Sequence, residues 1–519
     1  MNRFLPPERH GGLCSSRHWT AIRAASTVHQ QRRVRLHLRQ ALRPKTCAHL
    51  TRGLGTAYSR YEMKKAAIIL AVLLASGAAR AAEFHANDYG AKGDGVTANT
   101  AAIQIAIDAA AKAGGTVVFA PGVYLTGSIF LKSGTHLRLD KGVEIRGIQD
   151  QSAYPIVPTR VAGIEMRWPA ALINVYEQSN VRISGEGAID GDGKMWWDKY
   201  WQLRRDYDPR GLRWAADYDA QRPRLIQIYK SDNVELLGLT LRRSGFWTVH
   251  ICYSRKVHVD GVTIRNNIGG RGPSTDGIGV DSSSDVLVEN ADIECNDDAV
   301  VMKAGRDADG LRVNRPTENV VVRDITVRDG AAGITFGSET SGGIRHVEAY
   351  RIHVLAPSPI GILFKSAATR GGTIEDIAIH DIDMRGVPTA FSITFNWNPS
   401  YSYAKIPADL SNVPEHYKVL AQEVSREMGI PHLKNVRISN LKATGSLQAF
   451  SVAAYTHSPL QHVTFRNIEI QAQRAGEIQN AEDWKFENAR IQTSDGSLVA
   501  VKESRGVVGL PTKYLPQSK

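Results

Sequence analysis

Apolar and polar residues alternate in short bursts that recur along most of the chain. The bursts begin near Asn180 (NVRISGEGAI), Asn233 (NVELLGLTLR), Lys256 (KVHVDGVTIR), Asp285 (DVLVENADIE), Asn319 (NVVVRDITVR), His346 (HVEAYRIHVL), Thr373 (TIEDIAIHDI), Asn435 (NVRISNLKAT) and His462 (HVTFRNIEIQ). Alternation with a period of two puts one row of side chains on an apolar face, so each burst reads as two short strands joined by a polar or Gly-containing bend. Successive starts are mostly 23 to 34 residues apart. The two wider gaps, 180 to 233 and 373 to 435, read as about two periods each. One such unit cannot bury its apolar face alone, but stacked units share a continuous core. The expected fold is therefore all-β, a single-stranded right-handed parallel β-helix over residues 83–519. A β-sandwich is the competing architecture, but it calls for turn signals about every 8–12 residues.

The ends and interruptions of the pattern fit the same picture. Thr97 to Ala113 (TANTAAIQIAIDAAAKA) has helical periodicity, Asn99 or Thr97 as N-cap and Gly114 beyond its end. It is expected to cap the open N-terminal end of the stack and hide its edge. Two stretches break the rhythm, 191–222 with Trp196, Trp197, Trp201 and Trp214, and 396–432. Loops this long in a compact domain are usually functional, and the tryptophans are expected to wall a cleft, since aromatic faces suit sugar rings. Trp247 follows a strand pattern and reads equally as core or as a sugar platform.

Charge at first points elsewhere. A net charge of +12 over 519 residues is the balance of a nucleic-acid or membrane binder. Residues 1–62, however, hold twelve Lys or Arg against Glu8 and Glu62, and Lys64, Lys65 and Arg80 follow. From residue 82 onward the chain is close to neutral, so neither partner is expected. Met63 opens a stretch with a charged start, an apolar run from Ala66 to Ala75 and a small-residue site at Ala79-Arg80-Ala81. That is the form of a secretory signal over 63–82, and the run is too short to span a bilayer. Residues 1–62 show no periodicity and read as a non-native or disordered leader. A secreted or periplasmic protein, free of the membrane after cleavage, is expected. Outside the leader, Cys252 and Cys295 read as buried free thiols, and no CxxC spacing marks a metal site.

Two acidic segments carry the chemistry. GPSTDGIGVDS contains Asp276, and CNDDAVVMKAG contains Asp297 and Asp298. Asp276 and Asp297 are 21 residues apart, one turn of the repeat. Residues one turn apart in a β-stack lie roughly 4.8 Å from each other. Three carboxylates are thus expected on one face, where their mutual repulsion raises at least one pKa. A raised carboxyl beside an ionised one is the equipment for cleaving a glycosidic bond, with about 6.5–9.5 Å between acid and base if a water must fit between them.

From about Phe84 to about Thr464 the chain resembles the polygalacturonase family, family 28 of the glycoside hydrolases, in its exo-type or rhamnogalacturonan-active branch. The shared motifs run in order: NDYGAKGDGVTANTAAIQIAID, PGVYLTGSIFLKSGTHLRL, GAIDGDGKMWW, SGFWTVHICYS, STDG, NDDAVVMKAG, FGSETSGGI and GILFKS. The resemblance implies inverting hydrolysis of α-galacturonosyl linkages, with Asp297 as the acid and Asp298 and Asp276 activating water. It implies a pectic polysaccharide or oligogalacturonide as substrate, no metal and no cofactor. Lys303 and Glu339 lie in retained motifs and are expected in the cleft. Ser274-Thr275-Asp276 replaces the family's Asn-Thr-Asp. Gly330-Ala331-Ala332-Gly333 has lost a histidine that tunes the acid. Leu363-Phe364-Lys365 has lost an arginine that grips a sugar carboxylate, leaving Lys365 as a point charge. Arg306, Arg345 and Arg370 are candidates to replace that arginine.

These losses leave the substrate open between homogalacturonan and a rhamnogalacturonan with a neutral sugar on the leaving side. A pectate-lyase-type β-elimination enzyme and an inactive oligogalacturonide-binding protein are the alternatives from other classes. A monomer is expected. Exported protein should begin near Ala82 or Glu83; N-terminal sequencing that found residues upstream of Met63 would overturn this reading.

Overall fold

Parallel pairing joins the strands of the coil to their counterparts one rung later in a computed structural model that describes residues 82–515, while Ile156–Val161 and Ile164–Pro169 form a separate antiparallel hairpin. The expectations for residues 1–81 lie outside the described residues. Three stacks of strands make the coil. The first contains Ile226–Tyr229, Val249–Cys252, Ile278–Asp281, Val300–Lys303, Ala332–Phe336, Ile360–Lys365 and Thr389–Thr394. The second runs through Asp232–Leu237, Arg255–Asp260 and Ser284–Glu289 into the early parts of Thr317–Asp329, Ile344–Leu355, Thr373–Arg385 and His432–Ala453. The third runs through Thr240–Arg242, Thr263–Arg265 and Asp292–Glu294 into the later parts of the same long strands. The molecule is a parallel β-helix.

Inward residues stack on their equivalents. Ile278 and Val280 meet Val300 and Met302, then Ile334 and Phe336, then Ile362 and Phe364. All are fully buried in one continuous core, where Phe336 and Phe364 stack at 4.5 Å. Each such side chain contributes roughly 1.5–3 kcal/mol through removal from water.

The bends use the residues the pattern singled out. Asn180, Asn233, Lys256, Asp285, Asn319, His346, Asn435 and His462 all have positive φ, between 51° and 57°. Asn and Asp tolerate this left-handed conformation better than most residues. Their side chains also bond up the stack. Asn233 Nδ2 donates to Asn180 Oδ1 (2.7 Å), Asn319 to Asp285 (3.2 Å) and Asn435 to Asp376 (3.1 Å).

The two wide gaps are not double periods. Val181 pairs directly with Val234, and Ile377 with Val436. Each gap is one rung plus an excursion that leaves the coil, and periodicity cannot distinguish a missing rung from a loop. The first excursion carries helix α1 (Lys194–Tyr207), and the second carries helix α2 (Glu415–Leu420). They meet each other: Trp214 packs on Tyr417 at 4.6 Å, and Asp219 accepts from Tyr417 (2.6 Å) and pairs with His416 (2.7 Å). The tryptophans do not wall a cleft. Trp196 and Trp197 are buried in the main core, Trp214 is buried between the excursions, and Trp201 faces solvent. The three buried ones anchor the first excursion.

The N-terminal helix is Thr100–Ala113, three residues shorter than expected. Asn99 precedes it, but its side chain bonds Lys92 and Thr97 instead of capping the helix. Gly114 ends it in the left-handed conformation at φ 63°. Ile103, Ala106, Ile107 and Ala110 join the end of the core. Cys252 and Cys295 are free and buried.

Asn319 tests what the bends require. Asn319→Val forces a β-branched residue into positive φ and should cost roughly 1–2 kcal/mol, whereas Asn319→Gly should stay close to the parent. Urea unfolding midpoints read the difference. Equal losses in the two variants would show that the bond to Asp285, not the backbone, is what matters.

Candidate active site

The face that gathers the acidic segments lies at the entry to the first stack. Ile278 pairs with Val300, which places Asp298, not Asp297, one rung above Asp276. Gly277 N donates to Asp298 O (2.9 Å) across that step. The 21-residue spacing to Asp297 is one residue short of the register. Asp297 therefore stands beside the column, half-buried, while Asp276 and Asp298 are 3% and 1% exposed. Carboxylate oxygens of all three lie within 4.8 Å of one another. That is closer than the 6.5–9.5 Å expected for an intervening water, because successive rungs stack at a single strand spacing.

Two lysines make this crowding tolerable. Lys365 Nζ donates to Asp298 Oδ2 (2.7 Å), while Thr335 Oγ1 donates to Asp298 Oδ1 (2.9 Å). Lys303 Nζ lies 3.3 Å from Asp276 Oδ2 and 3.2 Å from Glu339 Oε2. Glu339 also accepts from Tyr401 Oη (3.2 Å). Asp297 Oδ1 accepts from the Asp298 N–H (2.9 Å), which fixes its carboxyl group.

Proton affinities follow from burial and charge. Burial pushes Asp276 well above the usual carboxylate range, Asp297 and Asp298 push it the same way, and Lys303 and Lys365 pull it back. Burial and then the Asp298 charge raise Asp297. Two such close groups titrate as a coupled system. Burial also acts to raise Glu339, but Lys303, Arg370, Lys365 and Arg306 hold it far below its ordinary value. Burial acts to lower Lys303 and Lys365, but Glu339 and Asp276 carry the first well above the normal range and Asp298 and Asp297 raise the second. Both are firmly ammonium ions. The three carboxylates are close enough to share a cation, and these ammonium groups already supply positive charge there.

A pocket of about 100 Å³ opens over this group. Asp276, Asp297, Asp298, Lys303, Glu339 and Lys365 line it, all anticipated from the sequence. Arg306 and Arg370 do not. Both are 0% exposed behind the pocket and both bind Asp307; Arg306 also donates to Tyr218 Oη and to the carbonyls of Tyr401 and Ser402. Arg345 pairs with Glu318 on the second stack. None of the three can grip a sugar carboxylate.

The sequence reading missed Arg213, Asp217, Trp397, Asn398 and Tyr401, which also line the pocket. All come from the two excursions, where no periodicity points to them. Trp247 lines the pocket as well, with Lys303 Nζ 5.2 Å from its ring, and Lys365 Nζ lies 4.7 Å from the ring of Trp397. Of the altered motif positions, Ser274 Oγ donates to Asp217 (2.8 Å). Ala331 N donates to the Asp297 carbonyl (2.8 Å), so the Gly330-Ala331-Ala332-Gly333 segment backs Asp297. Leu363 is 1% exposed, packs with Ala332 and Ile360 and pairs with Thr335, and it is not among the residues that line the pocket.

Comparison with known proteins identifies the family. Residues 115–491 match the Glycosyl hydrolases family 28, and residues 84–140 match the Rhamnogalacturonase A/epimerase, pectate lyase-like family. A probable polygalacturonase of Vitis vinifera is 34% identical over 423 residues, 79% of each chain. An exo-poly-alpha-D-galacturonosidase of Dickeya chrysanthemi is 25% identical over 79% of this chain and 74% of its own. Among solved structures, an exopolygalacturonase from Thermotoga maritima superposes with a TM-score of 0.66 at 27% identity, covering 79% of this chain and 92% of that one. The family 28 exopolygalacturonase of Yersinia enterocolitica, at 22% identity and a TM-score of 0.67, shares the fold. With its family match spanning most of the β-helix, the chain belongs to family 28 of the glycosyl hydrolases and is a glycoside hydrolase.

Proposed function

We propose that the protein is a secreted or periplasmic pectin glycosidase that removes galacturonate from chain ends by inverting hydrolysis. The observation that carries this reading is the group of three carboxylates within 4.8 Å, two of them with raised proton affinity, under a pocket rich in cations. Asp297 is the acid. It retains its proton above the usual carboxylate range and gives it to the glycosidic oxygen as the bond breaks. Asp276 and Asp298 are close enough for one water to hydrogen-bond to both, at about 2.8 Å from each. Lys365 and Thr335 fix both oxygens of Asp298 so that it orients this water. With the proton held on Asp297, Asp276 is an ionised carboxylate beside Lys303 (3.3 Å) and takes the water's proton. Attack by a water on the face opposite the leaving group inverts the anomeric carbon.

Exo action is supported by the two excursions, which contribute Arg213, Asp217, Trp397, Asn398 and Tyr401 to the pocket wall and leave it small. Such a pocket takes the end of a chain rather than its middle. The relatives from Dickeya chrysanthemi and Thermotoga maritima carry exo-type names. β-Elimination is less well served. It needs a proton abstractor, and both pocket lysines are held protonated by their carboxylates. A second reading within the family is favoured by Leu363: a buried leucine where an arginine grips the leaving sugar's carboxylate suits a neutral leaving sugar such as rhamnose.

Incubation with homogalacturonan and rhamnogalacturonan oligomers should release only monomeric galacturonate, with the β-anomer appearing first by ¹H NMR. Mixed oligomers would reject exo action, α-anomer would reject inversion, and unsaturated product would point to a lyase. Asp297→Asn should lose roughly 10²–10⁴-fold in rate, the usual worth of a general acid. Near-full activity in that variant removes Asp297 from the role. Asp298→Asn should lower the Asp297 pKa toward the ordinary carboxylate range, because it deletes a neighbouring negative charge. A ¹³C titration of the Asp297 carboxyl that did not move downward would break that electrostatic account.

A further inference from the structure

A pocket for an acidic sugar needs a free cation aimed at it, and most cations here are already committed. Lys303 serves Asp276 and Glu339, and Lys365 serves Asp298. Arg222, Arg224, Arg306 and Arg370 are 0% exposed. Arg213 differs in exposure and in how little of it is spent. It lines the pocket, its side chain is 17% exposed, and its one hydrogen bond among the described residues goes from Nη1 to Asp217 Oδ2 (2.8 Å). A guanidinium has five N–H donors in a rigid fork, so most of its capacity is unspent.

Its surroundings hold it ready. Asp217 is itself held by Arg222 (3.0 Å) and by Ser274 Oγ (2.8 Å), two residues before Asp276. One carboxylate between two guanidinium groups leaves a positive charge uncompensated at this point. On the other side the Arg213 guanidinium lies 5.0 Å from the ring centre of Tyr401, whose hydroxyl bonds Glu339. Arg213 is thus clasped between the two excursions.

Resting on the reading of the pocket as a galacturonate site, we infer that Arg213 is the residue that recognises the substrate's carboxylate. The arginine lost at Leu363 has been replaced from another part of the fold, by a side chain that enters from the 191–222 excursion. A forked guanidinium pairs with a planar carboxylate through two parallel hydrogen bonds, which a lysine cannot reproduce. Selectivity for an acid sugar therefore lies in the excursion, not in the rung that carries Lys365.

The test compares digalacturonate with its methyl ester in the full-length enzyme. Arg213→Gln should raise KM for the acid roughly 10- to 100-fold, the worth of a charge-assisted hydrogen bond, and should shrink the acid-to-ester preference toward unity. Arg213→Lys should keep part of the preference. If Arg213→Gln loses activity equally on both substrates, the residue is only a clasp between the excursions and the inference is overturned. If the unaltered protein cleaves neither substrate, the proposed function is what fails, and calorimetric titration with galacturonate and with galactose then decides on Arg213. A preference for galacturonate that Arg213→Gln abolishes supports the inference. A preference that survives, or none in the unaltered protein, rejects it.

Discussion

Parallel stacking at a single strand spacing, about 4.8 Å, sets every residue against its equivalent on the next rung, and the rest of the molecule is a response to that constraint. Where the repeated residue is apolar, the result is the continuous core. Where it is asparagine, the result is a ladder of side-chain hydrogen bonds along a bend. Where it is aspartate, the result is repulsion. The chain meets that repulsion with Lys303 and Lys365 and with raised proton affinity at Asp276 and Asp297. The site is chemically potent because the fold does not allow its charges to spread apart.

Legibility in the sequence followed the same division. Strands, bends and the column of acids repeat, so the alternation of NVVVRDITVR and its equivalents was enough to place them. The spacing from Asp276 to Asp297 pointed to the right face but the wrong rung partner, since the register matches Asp298 instead. Arg306 and Arg370 lie close to the site motifs in sequence and were expected to bind substrate; they are fully buried on Asp307 because that carboxylate needs them. Arg213, Trp397 and Tyr401 escaped notice because they sit where nothing repeats. The tryptophans of the first excursion drew attention as a cleft wall, yet Trp196 and Trp197 hold that excursion to the coil and Trp214 joins it to the second excursion.

The pocket consequently has two kinds of wall. Its floor is coil, fixed by pairing with rungs on both sides, and it carries the three aspartates and both lysines. Its upper wall is excursion, fixed by contacts such as Trp214 on Tyr417 and the grip of Asp219 on His416 and Tyr417. Tyr401 joins the two, since its hydroxyl reaches Glu339 while its ring lies beside Arg213.

Because Val181 still pairs with Val234 and Ile377 with Val436, each excursion departs and returns without displacing a single rung. The entropy of closing a loop rises only with the logarithm of its length, about 0.6 kcal/mol per doubling. A residue added within a strand, by contrast, turns every later side chain of that strand to the opposite face. The architecture thus separates two kinds of change: an excursion such as 191–222 or 396–432 can gain or lose residues, or trade the side chains it hangs over the pocket, while the floor beneath it stays in register.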